Sequence, residues 1–380
     1  MKRTLILGGG SGGVVAANIL KKLVGRTMRV TLVDRETNHY FASSYPRVII
    51  GERQPNQIIK GLKSLENKRI EFRHCEVKEL DLAGHRVITD KHDLEYDYLI
   101  ISLGVEYNLD TVPGFRENAF NVYDFQDVVK VNQKLREFSA GKIVLFISSL
   151  PYKCPPGPYE IMLLIDQYFR QRGIRHKVKL TVVTPEKSPE SLAGPKISQK
   201  LRKMLLDRGI ELIAEAKILA VEKNALILDH DAKIPADLLL GIASHWTPQA
   251  IRNTDLVDKN GFINVDPFTL ETKYKGVYAI GDAAAIKTPV MGVYAPKAGI
   301  FAHMQAKVVA RNIASMAQGS KPESYYDGKG FCIINTGFGQ GCYTSVHYYK
   351  KPPTFTFIRP TKAAYLLKVG FEKYWLNCWF

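Results

Sequence analysis

Apolar runs and amphipathic segments alternate along the first two thirds of the chain, and this alternation predicts an α/β fold. Residues 3–8 form a short apolar run typical of a buried strand, and residues 13–24 carry apolar and small side chains at helical spacing. Residues 29–34 form the next apolar run, which completes a βαβ unit and favours a parallel sheet. Residues 96–103 predict another buried strand.

A second α/β series begins at Gly141. It predicts, in order, strand 142–148, helix 159–173, strand 177–184, helix 196–208 and strand 210–213. Further on, residues 277–280 predict a strand that returns to the first unit. Residues 298–318 predict a long helix, which is followed by stop residues that include Gly319 and Pro322.

This pattern divides the chain into three parts. We expect a discontinuous first domain at residues 1–110 and 235–322, and a second Rossmann-like domain at residues 111–234. Residues 323–380 form a C-terminal region that is rich in Tyr, Phe and Gly. A length of 380 residues suits two or three domains with a core that needs no disulfides.

The composition adds one unusual feature, a strongly basic charge balance. Lys and Arg number 53 against 37 Asp and Glu, which gives a net charge of +16. Such an excess suits nucleic acid, an anionic membrane surface or an anionic substrate, and a plain solvated surface is an equal alternative. No zinc-finger spacing or nucleic-acid motif accompanies the charge, so we expect no nucleic-acid partner.

Hydropathy and cysteine spacing predict where the protein works. No run approaches the roughly 20 apolar residues that a membrane-spanning helix needs. The basic start enters Gly8 after three apolar residues, so we expect no signal peptide and a cytoplasmic protein with reduced cysteines. The five cysteines form no CxxC pair, so we expect no metal site.

A G-x-G-x-x-G motif stands directly after the first predicted strand. Gly8 allows the tight turn, Gly10 lets the backbone approach a pyrophosphate, and Gly13 lets helix and strand pack closely. The helix start faces the phosphates, and Asp34 at the end of the second strand would accept hydrogen bonds from an adenosine ribose. The motif predicts a dinucleotide site without choosing between NAD and FAD.

Two further segments indicate FAD. Residues 272–282 resemble the late FAD motif of the flavoproteins with two dinucleotide-binding domains, in which the aspartate binds the ribityl chain. Residues 96–104 resemble the middle motif of the same superfamily, with Ser102 where alanine is usual. The candidate cofactor-binding residues are Gly8, Gly10, Ser11, Gly13, Asp34, Val77, Gly104, Gly281, Asp282 and Lys297.

The turn after strand 142–148 lacks the second glycine motif that NADH-using members of this superfamily carry. Prolines occupy the turn and remove amide donors that would cradle a pyrophosphate, so we expect no normal NAD site. Cys154 stands there instead. Lys153 and the start of the next helix would favour its thiolate, and Glu160 is our general-base candidate.

Residues 154–160 resemble the first active cysteine segment of the sulfide:quinone oxidoreductase and flavocytochrome c sulfide dehydrogenase flavoproteins. Cys332 resembles the second active cysteine, and residues 295–299 resemble the motif whose lysine, here Lys297, lies near the flavin. The resemblance implies an α/β enzyme with two Rossmann-like domains that oxidises sulfide through Cys154 and Cys332. FAD would pass the electrons to a membrane quinone, and sulfur would leave as polysulfide or persulfide.

Three alternatives stay open. Many sulfide:quinone reductases carry a third essential cysteine in a region that here, at residues 120–131, has none. Cys342 is a substitute candidate, and a plain structural thiol is the alternative. The rival functions are a type II NADH:quinone oxidoreductase on the same scaffold and a non-catalytic flavoprotein that senses sulfur species.

The C-terminal tail mixes aromatic, aliphatic and basic residues. This mixture suits the surface of an anionic bilayer, so we expect monotopic, peripheral attachment at the cytoplasmic face of the cell membrane. The alternatives are docking on the protein's own core and contacts within a homo-oligomer. The residues concerned are Tyr365, Leu366, Val369, Phe371, Trp375, Leu376, Trp379 and Phe380, with Lys362, Lys368 and Lys373 between them.

Overall fold

A computed structural model describes residues 1–380, apart from the side chain of Asp231. The helices are α1 (Ser11–Val24), α2 (Tyr45–Ile49), α3 (Phe115–Asn118), α4 (Phe125–Glu137), α5 (Gly157–Gln171), α6 (Pro195–Asp207), α7 (Gln249–Arg252), α8 (Gly299–Ala317) and α9 (Lys362–Cys378). The strands are β1 (Lys2–Leu7), β2 (Met28–Asp34), β3 (Asn38–Tyr40), β4 (Ile59–Gly61), β5 (Glu71–His74), β6 (Val77–Asp81), β7 (Arg86–Thr89), β8 (Asp93–Glu95), β9 (Tyr98–Ile101), β10 (Glu106–Asn108), β11 (Phe120–Asn121), β12 (Gly141–Ile147), β13 (Val178–Val183), β14 (Ile210–Ile213), β15 (Ile218–Glu222), β16 (Ala225–Leu228), β17 (Lys233–Pro235), β18 (Leu238–Ile242), β19 (Ser244–Trp246), β20 (Ile263–Asn264), β21 (Val277–Ala279), β22 (Ala284–Ala285), β23 (Lys329–Gly337), β24 (Gln340–His347) and β25 (Thr354–Thr361).

The first sheet is parallel and runs in the order β21-β9-β1-β2-β5. Leu5, Ile6 and Leu7 of β1 are all buried, as expected for a parallel strand whose two faces are both covered. Helices α1 and α8 pack tightly against each other beside this sheet. Since β1 is central, the turn that follows it lies at the carboxyl edge of the sheet, where open α/β sheets bind ligands.

The second sheet is also parallel, in the order β11-β18-β12-β13-β14. Helices α5 and α6 pack against β13 and β14. The two parallel sheets confirm the predicted α/β class. Strand β18 pairs with β12, so the second sheet continues past residue 234, where we expected the chain to return to the first domain.

The C-terminal region builds an antiparallel sheet, β23-β24-β25, followed by α9. Helix α5 packs against β23, and α9 packs against β24. The C-terminal sheet therefore joins the second parallel sheet to α9, and it places Cys332 of β23 next to the helix that follows Cys154.

The second half of helix α9 also contacts the first domain, which corrects part of the expected tail surface. Trp375 and Leu376 are buried, and the Trp375 ring packs against those of His39 and Phe41. Leu366 stays exposed. The prediction of a membrane-facing tail is therefore wrong for Trp375 and Leu376, because both side chains lie in the protein's own core. Among the described residues, no helix combines the length and hydropathy needed to cross a bilayer.

Candidate active site

In the turn between β1 and α1, two of the three motif glycines have no space for a side chain, whereas the third does. Gly8 has φ +100°, and a Cβ there would lie 2.2 Å from the Ser102 carbonyl oxygen. A Cβ on Gly13 would lie 1.8 Å from the Gly8 carbonyl oxygen. A Cβ on Gly10 would meet no described atom within 4 Å. Gly8 and Gly13 are thus required by packing, whereas Gly10 borders free space.

Two helix N-termini meet at this turn. Helix α1 starts at Ser11 and α8 starts at Gly299, and no described side chain caps either start. A Cβ on Gly299 would lie 3.2 Å from Ser11 Oγ, so the two starts are neighbours. The first N–H groups of a helix carry partial positive charge and lack intrahelical acceptors. The pair therefore offers amide donors to an anion such as a pyrophosphate.

Asp34 closes the other side of the turn. Its Oδ2 accepts a hydrogen bond from the Gly9 N–H at 2.5 Å, and burial raises the pKa of its carboxyl. The Cys75 N–H donates to the Asp34 carbonyl at 3.1 Å. Val77 begins β6 two residues later, so the start of β6 lies beside the end of β2. The structure thus brings the adenosine-side candidates to one edge of the first sheet.

The flavin-side candidates meet at the carboxyl ends of β9 and β21. Gly104 has φ +67°, and a Cβ there would meet no described atom within 4 Å. The Gly281 N–H donates to Gln305 Oε1 at 2.7 Å. Lys297 Nζ donates to the Asp282 carbonyl at 2.6 Å, and burial lowers the pKa of this lysine to about 8.

His39 links the glycine turn to the C-terminal helix. Its Nδ1 lies 2.8 Å from the Gly9 carbonyl oxygen, and Trp375 Nε1 donates to its Nε2 at 3.1 Å. Burial lowers the pKa of His39 to about 4, so the ring is neutral at pH 7 and donates through Nδ1. The sequence offered no signal for this contact, since it joins residues 336 positions apart.

Cys154 is held against the flavin side by its backbone. Its N–H donates to the Lys297 carbonyl at 2.6 Å, and its own carbonyl accepts from the Gly157 N–H at 2.8 Å and the Tyr123 hydroxyl at 2.9 Å. Its φ of +50° is unusual for a residue other than glycine, and such strain often occurs at functional positions. These bonds fix the loop just before α5.

Helix α5, which begins three residues after Cys154, packs against β23, which carries Cys332. Burial raises the pKa of Cys332, and the charge of a Cys154 thiolate adds to that shift. Burial and the charge of Glu160 raise the pKa of Cys154 to about 12. The Lys153 charge lowers this pKa, in the direction that we expected, but the effect of burial is larger.

The Lys153 side chain lies over two tyrosine rings next to the Cys154 loop. Its Nζ lies 5.0 Å from the centroid of the Tyr107 ring and 6.0 Å from that of Tyr123. His245 packs its ring edge to face with both tyrosines, and its buried Nε2 has no partner among the described residues. Burial lowers the pKa of His245 to about 3, so its ring is neutral. His245 is thus connected to the Cys154 loop through Tyr123, whose hydroxyl donates to the Cys154 carbonyl.

Glu160 forms a buried ion pair with Lys368 of α9. Burial raises the pKa of Glu160, and the Lys368 ammonium opposes that shift. Our placement of Lys368 on the membrane face is therefore wrong: its side chain turns inward to a carboxylate. The pair joins the first helical turn of α5 to the C-terminal helix directly beside the cysteines.

Cys342 faces the same side of the C-terminal sheet as Cys332. Cys332 pairs with Thr344 across β23 and β24, and Ile334 pairs with Cys342. Cross-strand partners and alternate residues share a face, so the two cysteines are diagonal neighbours. Cys342 is buried, and burial raises its pKa to about 12. Its part in the chemistry stays a prediction.

A family model for the pyridine nucleotide-disulphide oxidoreductases matches residues 2–147 and 167–310. The chain belongs to the pyridine nucleotide-disulphide oxidoreductase family. The match leaves out residues 148–166, which contain Cys154 and Glu160, and residues 311–380, which contain Cys332 and Lys368. The side chains that distinguish this site therefore lie in the two segments that the general family pattern does not describe.

Two curated relatives and one solved structure are similar to this chain over most of its length. The chain is 27% identical to the sulfide-quinone reductase of Aquifex aeolicus, over 99% of this chain and 90% of that protein. It is 25% identical to the mitochondrial sulfide:quinone oxidoreductase of Mus musculus, over 93% of this chain and 80% of that protein. The X-ray structure of the Aquifex aeolicus sulfide:quinone oxidoreductase superposes with a TM-score of 0.89, at 25% identity, over 99% of this chain and 91% of that one.

FAD is the cofactor of this flavoprotein fold. The site residues fit it, because the open space at Gly10 and Gly104 and the two uncapped helix starts are what an extended dinucleotide requires. Gly10 and Ser11 would hold the pyrophosphate, Asp34 the ribose, and Asp282 and Lys297 the flavin end. FAD supplies a two-electron acceptor at this site.

Gly10→Ala is expected to weaken FAD binding about 10-fold or more without destabilising the FAD-free protein. The added methyl group enters the free space that the cofactor needs, but meets no described protein atom, and φ at Gly10 is −73°. Retained FAD per chain and the urea midpoint of the FAD-free protein measure the two effects. Gly13→Ala is the contrasting variant, because its methyl group collides with the Gly8 carbonyl oxygen. It should lower both the FAD retained per chain and the urea midpoint. Equal loss of stability in the two variants would contradict this account.

Proposed function

We propose that this protein oxidises sulfide through Cys154 and Cys332 and passes the electrons by way of FAD to a membrane quinone. The observation that carries the proposal is the packing of α5, which follows Cys154, against β23, which carries Cys332, with both cysteines half-buried. The Cys154 N–H donates to the Lys297 carbonyl, and its loop stands where NADH-using members carry a second glycine motif. Prolines fill that turn, and Pro156 and Pro158 lack the amides that would bind a pyrophosphate.

The proposed chemistry is a thiol–disulfide exchange with sulfide as the nucleophile. Sulfide attacks one sulfur of a bridge between Cys154 and Cys332, the S–S bond breaks, and a new S–S bond forms a persulfide. The other cysteine, which we assign to Cys332, leaves as a thiolate. An acceptor thiolate or a second sulfide takes the outer persulfide sulfur, which leaves Cys154 as a thiolate as well. Re-forming the Cys154–Cys332 S–S bond from the two thiolates releases two electrons, which FAD would accept when bound.

Glu160 and Lys368 support this exchange as a pair. A lone ammonium or a lone carboxylate would be strongly disfavoured in this buried setting, whereas the ion pair brings a positive charge near a developing thiolate. The Lys368 charge lowers the pKa of both reacting cysteines. We therefore assign Lys368 the role of stabilising the thiolates, and Glu160 the role of holding Lys368 in place.

Anaerobic mixing of the FAD-loaded protein with sulfide, and separately with NADH, tests the proposal. We expect sulfide to bleach the flavin absorbance rapidly and NADH to leave it almost unchanged. Rapid bleaching by NADH alone would favour a type II NADH:quinone oxidoreductase. Steady turnover of a short-chain quinone with sulfide excludes the sulfur-sensing alternative.

A membrane quinone requires a surface that reaches the bilayer, and we propose the apolar patch of Phe338, Leu366 and Leu367. All three side chains are exposed, with Leu366 at 63%. A Cβ on Gly341 would lie 3.2 Å from the Tyr365 backbone nitrogen, so the β23–β24 turn lies beside the start of α9. The exposed Lys362 adds a basic group next to the patch, which suits an anionic bilayer.

The double variant Leu366→Glu/Leu367→Glu is expected to lower binding to anionic phospholipid vesicles and to slow quinone reduction about 10-fold or more. Each leucine would lose roughly 1.5–3 kcal/mol of apolar burial in the bilayer. Vesicle co-sedimentation and sulfide-driven quinone reduction measure the effect. Sulfide-driven flavin bleaching should be unchanged. The control is Leu206→Glu, because Leu206 is equally exposed on α6 of the second domain; an equal loss there would contradict the patch.

A further inference from the structure

A third buried carboxylate, Glu190, lies in the loop at residues 186–194. This loop is anchored to the Cys154 side, since Tyr152 and Tyr159 donate from their hydroxyls to Glu186 Oε2 at 2.8 and 2.5 Å. It is anchored to the C-terminal sheet as well, since the Tyr348 hydroxyl donates to the Leu192 carbonyl at 3.2 Å. The loop therefore spans the gap between the loop of Cys154 and the sheet of Cys332.

Glu190 differs from the other two carboxylates near the cysteines. Glu160 is paired with Lys368, and Glu186 accepts hydrogen bonds from several donors. Glu190 Oε2 is buried and has no hydrogen-bond partner among the described residues. A buried carboxyl oxygen without a partner is strongly disfavoured, so its retention points to a group that it meets during the reaction.

The backbone of Glu190 is strained as well. Its φ of +53° lies in the left-handed region, which favours glycine. Its carbonyl accepts from the Ala193 N–H at 2.9 Å, so the strained conformation is held by the loop itself. Non-glycine residues in this region persist where the surrounding structure imposes them, often at functional sites. The strain directs a long carboxylic side chain into the interior.

Several titratable and charged groups surround Glu190 and the cysteines. Because the loop at residues 186–194 is bonded both to the Cys154 side and to the C-terminal sheet, the charge of Glu190 acts on both thiols and raises their pKa values. Burial and the charge of Glu186 raise the pKa of Glu190 itself to about 8. The surrounding groups are Glu186 on the same loop, Cys154 before α5, Glu160 on α5, Cys332 on β23, Cys342 and Tyr348 on and after β24, and Lys368 on α9.

We propose that Glu190 accepts the proton of the incoming sulfide at the cysteine pair. This inference rests on the proposed function. An anion is disfavoured in a buried site, so sulfide enters as neutral hydrogen sulfide. Hydrogen sulfide and the Glu190 carboxylate react with the Cys154–Cys332 bridge: the bridge S–S bond breaks, a persulfide S–S bond forms, one cysteine leaves as a thiolate, and Glu190 becomes a carboxylic acid.

A base of this kind is well matched to its task. General-base catalysis is most effective when the pKa of the base lies near the working pH, and a positioned base contributes about 10²–10⁴-fold. Because the carboxylate is the active form, the rate at a constant concentration of neutral hydrogen sulfide should rise with pH and level off above the pKa of Glu190. Glu160 cannot give this profile while Lys368 holds its proton-accepting oxygen.

The test is the pH profile of sulfide-driven flavin bleaching in the FAD-loaded protein, with the concentration of neutral hydrogen sulfide held constant. We expect a wild-type inflection near pH 8. Glu190→Gln should lack the inflection and react about 100-fold more slowly at its plateau, while Glu190→Asp should keep a slower, inflected profile. Glu215→Gln is the matched control, since Glu215 has φ +55° but is exposed, and it should behave as wild type. An unchanged rate and inflection in Glu190→Gln overturns the proposal.

Alkylation of the reduced cysteines by iodoacetamide without sulfide separates this proposal from the proposed function. Removing the Glu190 charge should lower the pKa of the two thiols, so that alkylation of Glu190→Gln becomes fast at a lower pH than alkylation of the wild type. This shift does not depend on sulfide oxidation. If the shift occurs but sulfide reduces no variant, both proposals fail, because no sulfide proton is transferred. If sulfide reduces the flavin normally in Glu190→Gln, only the role of Glu190 fails.

Discussion

Replacing either Cys154 or Cys332 by serine is expected to slow sulfide-driven flavin reduction by about three orders of magnitude or more while FAD stays bound. A serine hydroxyl is nearly the size of the thiol, but it forms neither a disulfide nor a persulfide. Neither side chain is needed to hold the glycine turn or the helix starts at the cofactor site. Stopped-flow absorbance of the bound flavin under anaerobic conditions measures the rate, and the ratio of FAD to protein checks retention.

The fifth cysteine provides a matched control. Cys378 is exposed near the end of α9, so Cys378→Ser should react at the wild-type rate. Cys342→Ser in the same assay decides whether the diagonal neighbour of Cys332 takes part. Wild-type rates in either Cys154→Ser or Cys332→Ser would show that the electrons follow a route without the cysteine pair.

Glu372→Ala is expected to lower the free energy of unfolding by about 3–5 kcal/mol. Glu372 is buried in α9, and its carboxylate pairs with Arg47 at 3.0 Å and with Arg53 at 2.7 Å. The Arg47 side chain is only 3% exposed, so the variant leaves a guanidinium buried without its main partner. Urea unfolding of the FAD-loaded protein, followed by far-UV circular dichroism, measures the change.

The neighbouring residue serves as the control for this prediction. Lys373 is exposed, so Lys373→Ala should change the free energy of unfolding by less than about 0.5 kcal/mol. The double variant Glu372→Leu/Arg47→Met should recover part of the loss, because it removes both buried charges. A cost below about 1 kcal/mol for Glu372→Ala would mean that α9 is only loosely attached to the first domain.

The sequence was sufficient for the first domain because its signals are local. An apolar run, a glycine turn and a helix start predicted β1 and α1, and the structure shows why Gly8 and Gly13 cannot carry a side chain. The approach of the Cys154 loop to β23 depends on the packing of α5 against that strand. No local pattern encodes this packing, so the pairing of Cys154 with Cys332 is predicted from the family resemblance alone.

The tail shows a signal that was present but overlooked. Ala364, Lys368, Glu372 and Leu376 follow at intervals of four, and they share the inward side of α9. Two charges at helical spacing with buried partners indicate ion pairs in the interior, whereas we assigned Lys368 to the membrane surface. Glu190 had no comparable signal, since its position depends on a loop held by tyrosines from distant segments.

The contact of Trp375 with His39 also has a consequence for how the protein is made. The glycine turn emerges early in synthesis, but its partner through His39 is added 336 positions later. Asn18 of α1 likewise donates to the Trp379 carbonyl, and Lys68 to the Cys378 carbonyl. N-terminal segments leave the ribosome first. The first domain therefore cannot form its contacts with α9 until the end of the chain has been synthesised. Cys332 of β23 is therefore already in the chain when α9 makes its contacts with the glycine turn.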